Sequence, residues 1–252
     1  MSEHARMQRQ RLFGIGLTDL FAGSAWRVEL EKELALTSQL LDVVIIEHDP
    51  AAAARPPVLP DGLEGLRPHN LLTYKSRHEA LDAWALDELI GHSVNYRKLS
   101  AVPAAEAAEP TVGGVAQQPT RRLLPGHDFQ LCAVAARKPR ALCRDADCRS
   151  TALPSIFDLR WGLHDIRLIV LGDIEQHPRN APWELFSADI ERIRHGARHY
   201  RPHRPEAEAL LYELYLRCKL EELDIALQLV GTEHRLIGPR MRLREPFYHR
   251  SI

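Results

Sequence analysis

The chain has 252 residues, 45% of them hydrophobic and 27% charged, with a formal net charge of −1 at neutral pH. That length allows a substantial core, and the composition is that of an ordinary globular protein rather than a disordered or fibrous one. The charge balance argues neither for nor against nucleic acid, so a basic face has to come from local clustering.

No apolar run approaches the roughly eighteen residues that span a bilayer. The N-terminal MSEHARMQRQRLFGIGL lacks the apolar centre and cleavage site of a signal peptide. A cytoplasmic protein with no membrane partner is expected. Four cysteines, Cys132, Cys143, Cys148 and Cys218, fit a reduced compartment better than a disulfide framework in a chain this long.

In chain order, WRVELEKELAL (Trp26 to Leu36) alternates apolar and charged residues and reads as a strand with one wet face. Leu40 to Glu47, LLDVVIIE, reads as a buried strand. Asp49 to Gly65, with its alanine run and Pro56, Pro57 and Pro60, reads as a surface connection. Asn70 to Tyr74 forms a third strand. A helix is predicted from about Glu79 to Lys98, where Leu81, Trp84, Ala85 and Leu89 recur at helical spacing.

Ser100 to Thr120, rich in Ala, Pro, Gly and Gln, reads as a flexible insertion. Phe129 to Ala135 and Leu163 to Leu171 read as strands with the polar excursion CRDADCRSTALP between them. Helices are expected from Trp183 to about Tyr200 and from Glu206 to Val230. This order predicts an α/β core over residues 20–175, with an insertion near 100–120, and a helical C-terminal extension over 176–252. The leucine periodicity of that extension offers a surface for homo-oligomer assembly.

The third strand ends in a single lysine, Lys75, and the strand before it carries a single acid, Asp42, at its start. Phosphodiester hydrolysis calls for a cation that offsets phosphate charge and lowers the pKa of an attacking water. Magnesium takes a few carboxylate oxygens and keeps several waters. Two acids and a lysine on adjacent strands are the minimum kit for that chemistry, and Asp42 and Lys75 supply two of the three.

With LDVVIIE, with HNLLTYKS followed by ALDAWALDELIGHSVNYRK, and with the later DIRLIVL, the chain resembles the PD-(D/E)XK nuclease superfamily. Within it the resemblance is to the transposase-like, recombination-promoting nuclease group of bacteria, and it covers roughly residues 20 to 200. It implies a restriction-endonuclease-like mixed sheet flanked by helices and magnesium-dependent cleavage of DNA, with manganese as the substitute ion. It also implies that Asp42 is the first metal-binding acid and Lys75 the catalytic lysine.

The family places Glu or Asp two residues before the lysine, where this chain has Thr73. Two readings stay open. Either the fold is kept for DNA or protein binding without catalysis, or the acid has moved onto the following helix. Twelve residues, Ser76 to Asp87, separate Lys75 from Glu88, close to the spacing used by family members with a displaced acid. Asp82 and Glu79 are further candidates nearer the helix start.

Glu29, Glu31 and Glu33 alternate onto one face of the first strand. The family often holds metal with an upstream acid, which makes Glu33 a candidate ligand beside a plain solvated face. His92 and Tyr96 lie one helical turn apart. Their placement resembles a Gln-x-x-x-Tyr element that contacts DNA in exonuclease-like members; the alternative is a half-buried tyrosine bonded to a histidine.

ERIRHGARHYRPHRP holds Arg192, Arg194, Arg198, Arg201 and Arg204, a candidate patch for DNA phosphates. His195, His199 and His203 are spaced four apart in the same run, but Pro202 predicts that the helix ends before they align. A zinc site from Cys132, Cys143 and Cys148 would require them to meet in space, and their spacing matches no recognised zinc motif.

Overall fold

Three strands whose residues are apolar on both faces form the middle of the sheet. They are β3 (His69–Lys75), β6 (Phe129–Ala135) and β9 (His164–Val170). Leu71, Leu72, Leu131, Cys132, Val134, Leu168 and Ile169 are all buried there, as a parallel sheet covered on both sides requires. In this computed structural model β3 pairs in parallel with β6, and β6 in parallel with β9. The residues described are 3–30, 43–52, 57–103, 121–205 and 207–209.

Antiparallel strands complete both edges. On one side lie β1 (Trp26–Glu29) and β2 (Val43–His48), and on the other β7 (Asp147–Ser150) and β8 (Ile156–Trp161). The seven-stranded order is β1-β2-β3-β6-β9-β8-β7. A mixed α/β fold is therefore what the chain adopts. The expected strand over Phe129 to Ala135 matches β6 residue for residue. Part of the first predicted strand, residues 31–36, lies outside the described residues.

A parallel pair needs a crossover, and between β3 and β6 it contains α2 (Ala83–Leu99). Leu81, Ala85, Leu86, Leu89 and Tyr96 pack on one face of the sheet against Leu71, Leu131, Ala133, Leu159 and Leu168. The helix starts later than its apolar spacing predicts, because Asp82 caps it: its Oδ1 accepts the Ala85 N–H at 3.0 Å. Arg97 and Lys98 occupy its last turn, where the helix dipole favours cations.

The opposite face is covered by α1 (Glu3–Leu20) and α4 (Ala181–Glu184). Phe13 stacks on Tyr74 with ring centroids 4.5 Å apart and on Trp183 at 5.7 Å, and the Tyr74 hydroxyl donates to the Phe186 carbonyl at 3.0 Å. Helix α1 was not anticipated by the strand–helix pattern. Leu12, Phe13, Leu17 and Leu20 are buried along it, after the largely polar sequence EHARMQRQR.

Other expectations are corrected. The connection after β2 does not stay on the surface: Asp61 and Leu63 are buried. Asp61 is fixed there by an ion pair with Arg179, by the Asn180 side chain at 2.8 Å, and by a Trp183 indole that donates to its carbonyl at 2.8 Å. Gly62 between them has φ +90, and a Cβ there would meet Ile156 and Ile169 within 2.9 Å.

The polar excursion before β9 contains the short helix α3 (Leu142–Asp145) and β7, and β8 follows it. The helix expected from Trp183 to Tyr200 is two helices, α4 and α5 (Ile190–His199), because Asp189 caps a new start by accepting the Glu191 N–H at 2.8 Å. As Pro202 implies, α5 stops at His199. The insertion's two ends meet, β4 (Val102–Pro103) pairing with β5 (Arg121–Arg122). The chain divides into compact units over 1–208 and 209–252. The expected helix beyond residue 209 lies outside the described residues.

Candidate active site

The end of β3 sets the site. Lys75 is its last residue, 5% exposed, and sits in register with Ala135 of β6. Its carbonyl accepts the Ala136 N–H at 2.9 Å, and the Ala135 carbonyl accepts the Leu171 N–H at 2.9 Å. The carboxyl ends of β3, β6 and β9 are thus flush, which is where open α/β sheets hold ligands. Removing a lysine head group from water costs several kcal/mol even after relaxation. A lysine is therefore an expensive residue for the end of an interior strand.

Thr73 lies two residues back on the same face, 2% exposed, in register with Val43 of β2 and Ala133 of β6. Its hydroxyl is neutral and gives a hard cation far less than a carboxylate does. The next acid past Lys75 is Glu79. Its Oε2 accepts the Ser76 N–H at 3.2 Å and the Ser76 hydroxyl at 2.7 Å, which places the Glu79 carboxylate in the turn directly after the lysine.

A cleft of about 590 Å³ opens at this end of the sheet, lined by Ala136, Arg137, Lys138, Arg140, Gly172 and Asp189 among others. Arg137, Lys138 and Arg140 are exposed, and the Lys138 ammonium lies 4.3 Å from the centre of the Phe157 ring. Reading the sequence alone missed this basic wall. Its signal is ARKPR immediately after an apolar strand, which acquires meaning only when β6 lies beside β3.

The anticipated residues fall in several places. Asp42 and Glu33 lie outside the described residues. Glu88 is half-buried on α2, and its carboxylate accepts the indole N–H of Trp84 at 3.0 Å; Trp84 itself is 71% exposed. His92, one turn on, is also half-buried.

Tyr96 is fully buried, and its hydroxyl donates to Glu47 Oε2 at 2.6 Å with His69 Nδ1 at 3.1 Å. Glu47 in turn pairs with Arg27. Burial raises the Tyr96 pKa above its ordinary value. His69 opens β3 and Lys75 closes it, so at ~3.3 Å per residue this network lies about 20 Å from the lysine. It ties the end of α2 to β2 and β3.

Among the arginines, Arg192 donates to the Ile174 carbonyl and Arg194 pairs with Glu191. Arg201 donates to the carbonyls of Arg198 at 2.7 Å and Tyr200 at 3.0 Å. The Arg204 backbone N–H binds Asp19 at 2.8 Å, and the residues Arg198 and Arg204 are exposed. His195 is held by buried Glu184, and its ring lies 4.1 Å from that of His199. His203, beyond Pro202, contacts Asp19 at 3.3 Å.

The three described cysteines do not form one cluster. Cys143 and Cys148 pack beside the core under α2. Cys132, a β6 residue alternating with Leu131 and Ala133, points to the other face. Burial pushes the Cys132 thiol up to about 12. Among the described residues no three or more His, Cys, Asp or Glu side chains gather as a metal site.

No family model, curated protein or solved structure matches the chain. Among the described residues no helix is long and apolar enough to cross a membrane.

Proposed function

We propose that this chain cleaves DNA as a phosphodiesterase of the restriction-endonuclease-like kind, with its reaction centre at the carboxyl end of β3. The observation that carries the proposal is a buried lysine flush with the ends of three parallel strands, at the end of the sheet where a cleft lined by Arg137, Lys138 and Arg140 opens. In this reading Lys75 orients the attacking water or holds charge that develops on the phosphate. The three exposed cations of the cleft bind the backbone on either side of the scissile bond.

Magnesium, or manganese in its place, belongs to the proposal with Asp42 as its first ligand and with Glu88, Glu79 or Glu33 as candidates for the second. When bound, the ion would acidify the water and offset phosphate charge. DNA contact by Arg198, Arg204 and His92, a cytoplasmic setting, and self-association through the leucine-rich residues 210–229 complete the reading. Purified protein is expected to nick supercoiled plasmid with magnesium, and Lys75→Ala and Asp42→Ala are each expected to abolish nicking.

A second reading, a nuclease-like fold that binds without cutting, is favoured by one contact. The Glu88 carboxylate is engaged by the Trp84 indole on an exposed side of α2, and Thr73 holds the usual place of the acid. Wild-type protein that shifts DNA in a gel yet never cuts it, with either ion, would select this reading.

A further inference from the structure

Cys143 lies in α3 and Cys148 in β7, the outermost strand of the sheet. Their Sγ atoms are 3.0 Å apart, with the Cys148 thiol donating to Cys143. That separation is about 1 Å more than an S–S bond. Both residues are partly exposed and both are free thiols. Neither belongs to the candidate active site, and β7 is otherwise polar, with Asp147, Arg149 and Ser150 facing solvent.

We propose that Cys143 and Cys148 are a dithiol modification site that a small disulfide of the glutathione class oxidises reversibly to an intramolecular disulfide. Cys143 is the attacking sulfur, because Cys148 is the donor of the pair and Cys143 the acceptor. Burial, then the contact with Cys143, pushes the Cys148 thiol up to about 12, which keeps the proton on the donor until the second step.

In the first step the Cys143 thiolate attacks the oxidant's S–S bond, forming a mixed disulfide and releasing one small thiolate. In the second, Cys148 gives up its proton to that thiolate and attacks Cys143 Sγ, expelling the other small thiolate, which takes up from water the proton that Cys143 lost on ionising. Two protein thiols are oxidised and one disulfide is reduced to two thiols. The product joins α3 to the edge strand through a ring of only a few residues.

The test is peptide mapping of the native full-length chain after incubation with oxidised glutathione, alkylation of remaining thiols, and trypsin. Cleavage after Arg140, Arg144 and Arg149 puts the two cysteines in separate peptides, 141–144 and 145–149. The expected result is that these two peptides are recovered joined, lighter by two hydrogens than their sum, and separate on reduction.

Cys132, fully buried, is expected to stay unmodified until the chain is denatured, which serves as an internal control. In Cys148→Ser the reaction is expected to stop at glutathione on Cys143. The proposal is overturned if both peptides of the wild type remain alkylated, or if glutathione persists on either cysteine without the internal bond forming.

Discussion

Replacing Lys75 with methionine separates a lysine kept for chemistry from one kept for stability. The residue ends an interior strand and is 5% exposed, with Thr73 and Leu71 on the same face of β3. Methionine matches its length without a charge. Removing one member of a buried charged interaction costs about 3–5 kcal/mol. For a domain of this size each kcal/mol moves the melting midpoint by about 2–4 °C.

The expected outcome is a chain that melts up to about 20 °C below the wild type, is still folded at the assay temperature, and no longer nicks plasmid DNA. Thermal melts followed by circular dichroism, run beside the nicking assay, read both quantities. A Lys75→Met chain that is folded at the assay temperature and still nicks would refute the reasoning, because the lysine would then serve stability alone.

Tyr96→Phe removes the hydroxyl that bridges Glu47 and His69 and is expected to cost about 1.5–3 kcal/mol, as for a hydrogen bond to a charged group. Urea melts measure this, and nicking by the folded variant should be unchanged because the network lies far from Lys75. Arg137, Lys138 and Arg140 changed together to alanine should weaken DNA binding and flatten its salt dependence by roughly one unit for each phosphate no longer neutralised. Fluorescence anisotropy over a salt series reads this, and an unchanged slope would remove the cleft from the DNA path.

Burial raises the pKa of Tyr96, and burial with a hydrogen bond to Asp19 raises that of Tyr200. The folded chain therefore keeps protons that the unfolded chain gives up near pH 10. Stability from this source is complete below about pH 10 and falls as pH rises further. Urea midpoints measured upward from pH 9 should decline, and less steeply in Tyr96→Phe.

The interior of the sheet was legible because its strands carry unbroken apolar runs. FQLCAVA and HNLLTYK declare themselves, and so does the helix whose Leu81, Ala85 and Leu89 meet them. Strand β8 also carried its signal, since Ile156, Phe157 and Leu159 are buried while Asp158 and Arg160 are exposed. The short polar β7 before it disguised the hairpin. Helix α1 was hidden because its sequence opens with the largely polar EHARMQRQR, where no apolar periodicity shows.

For the site, Lys75 stood out as one charge in an apolar strand, but its neighbours did not. Arg137, Lys138 and Arg140 reach the same end of the sheet only through the parallel register of β3 and β6, a relation between segments about sixty residues apart that no local pattern encodes. The arginines between positions 192 and 204 looked equivalent as letters. Their separate roles come from the Ile174 carbonyl, Glu191 and Asp19, which tertiary packing supplies.

The most direct measurement is conversion of supercoiled plasmid to nicked circles by purified wild-type protein, with magnesium and with chelator, beside Lys75→Met shown to be folded. The account predicts nicking by the wild type with magnesium alone and none by the variant. Nicking that persists in the folded variant, or a wild type that binds DNA and leaves it intact with magnesium and with manganese, would contradict it.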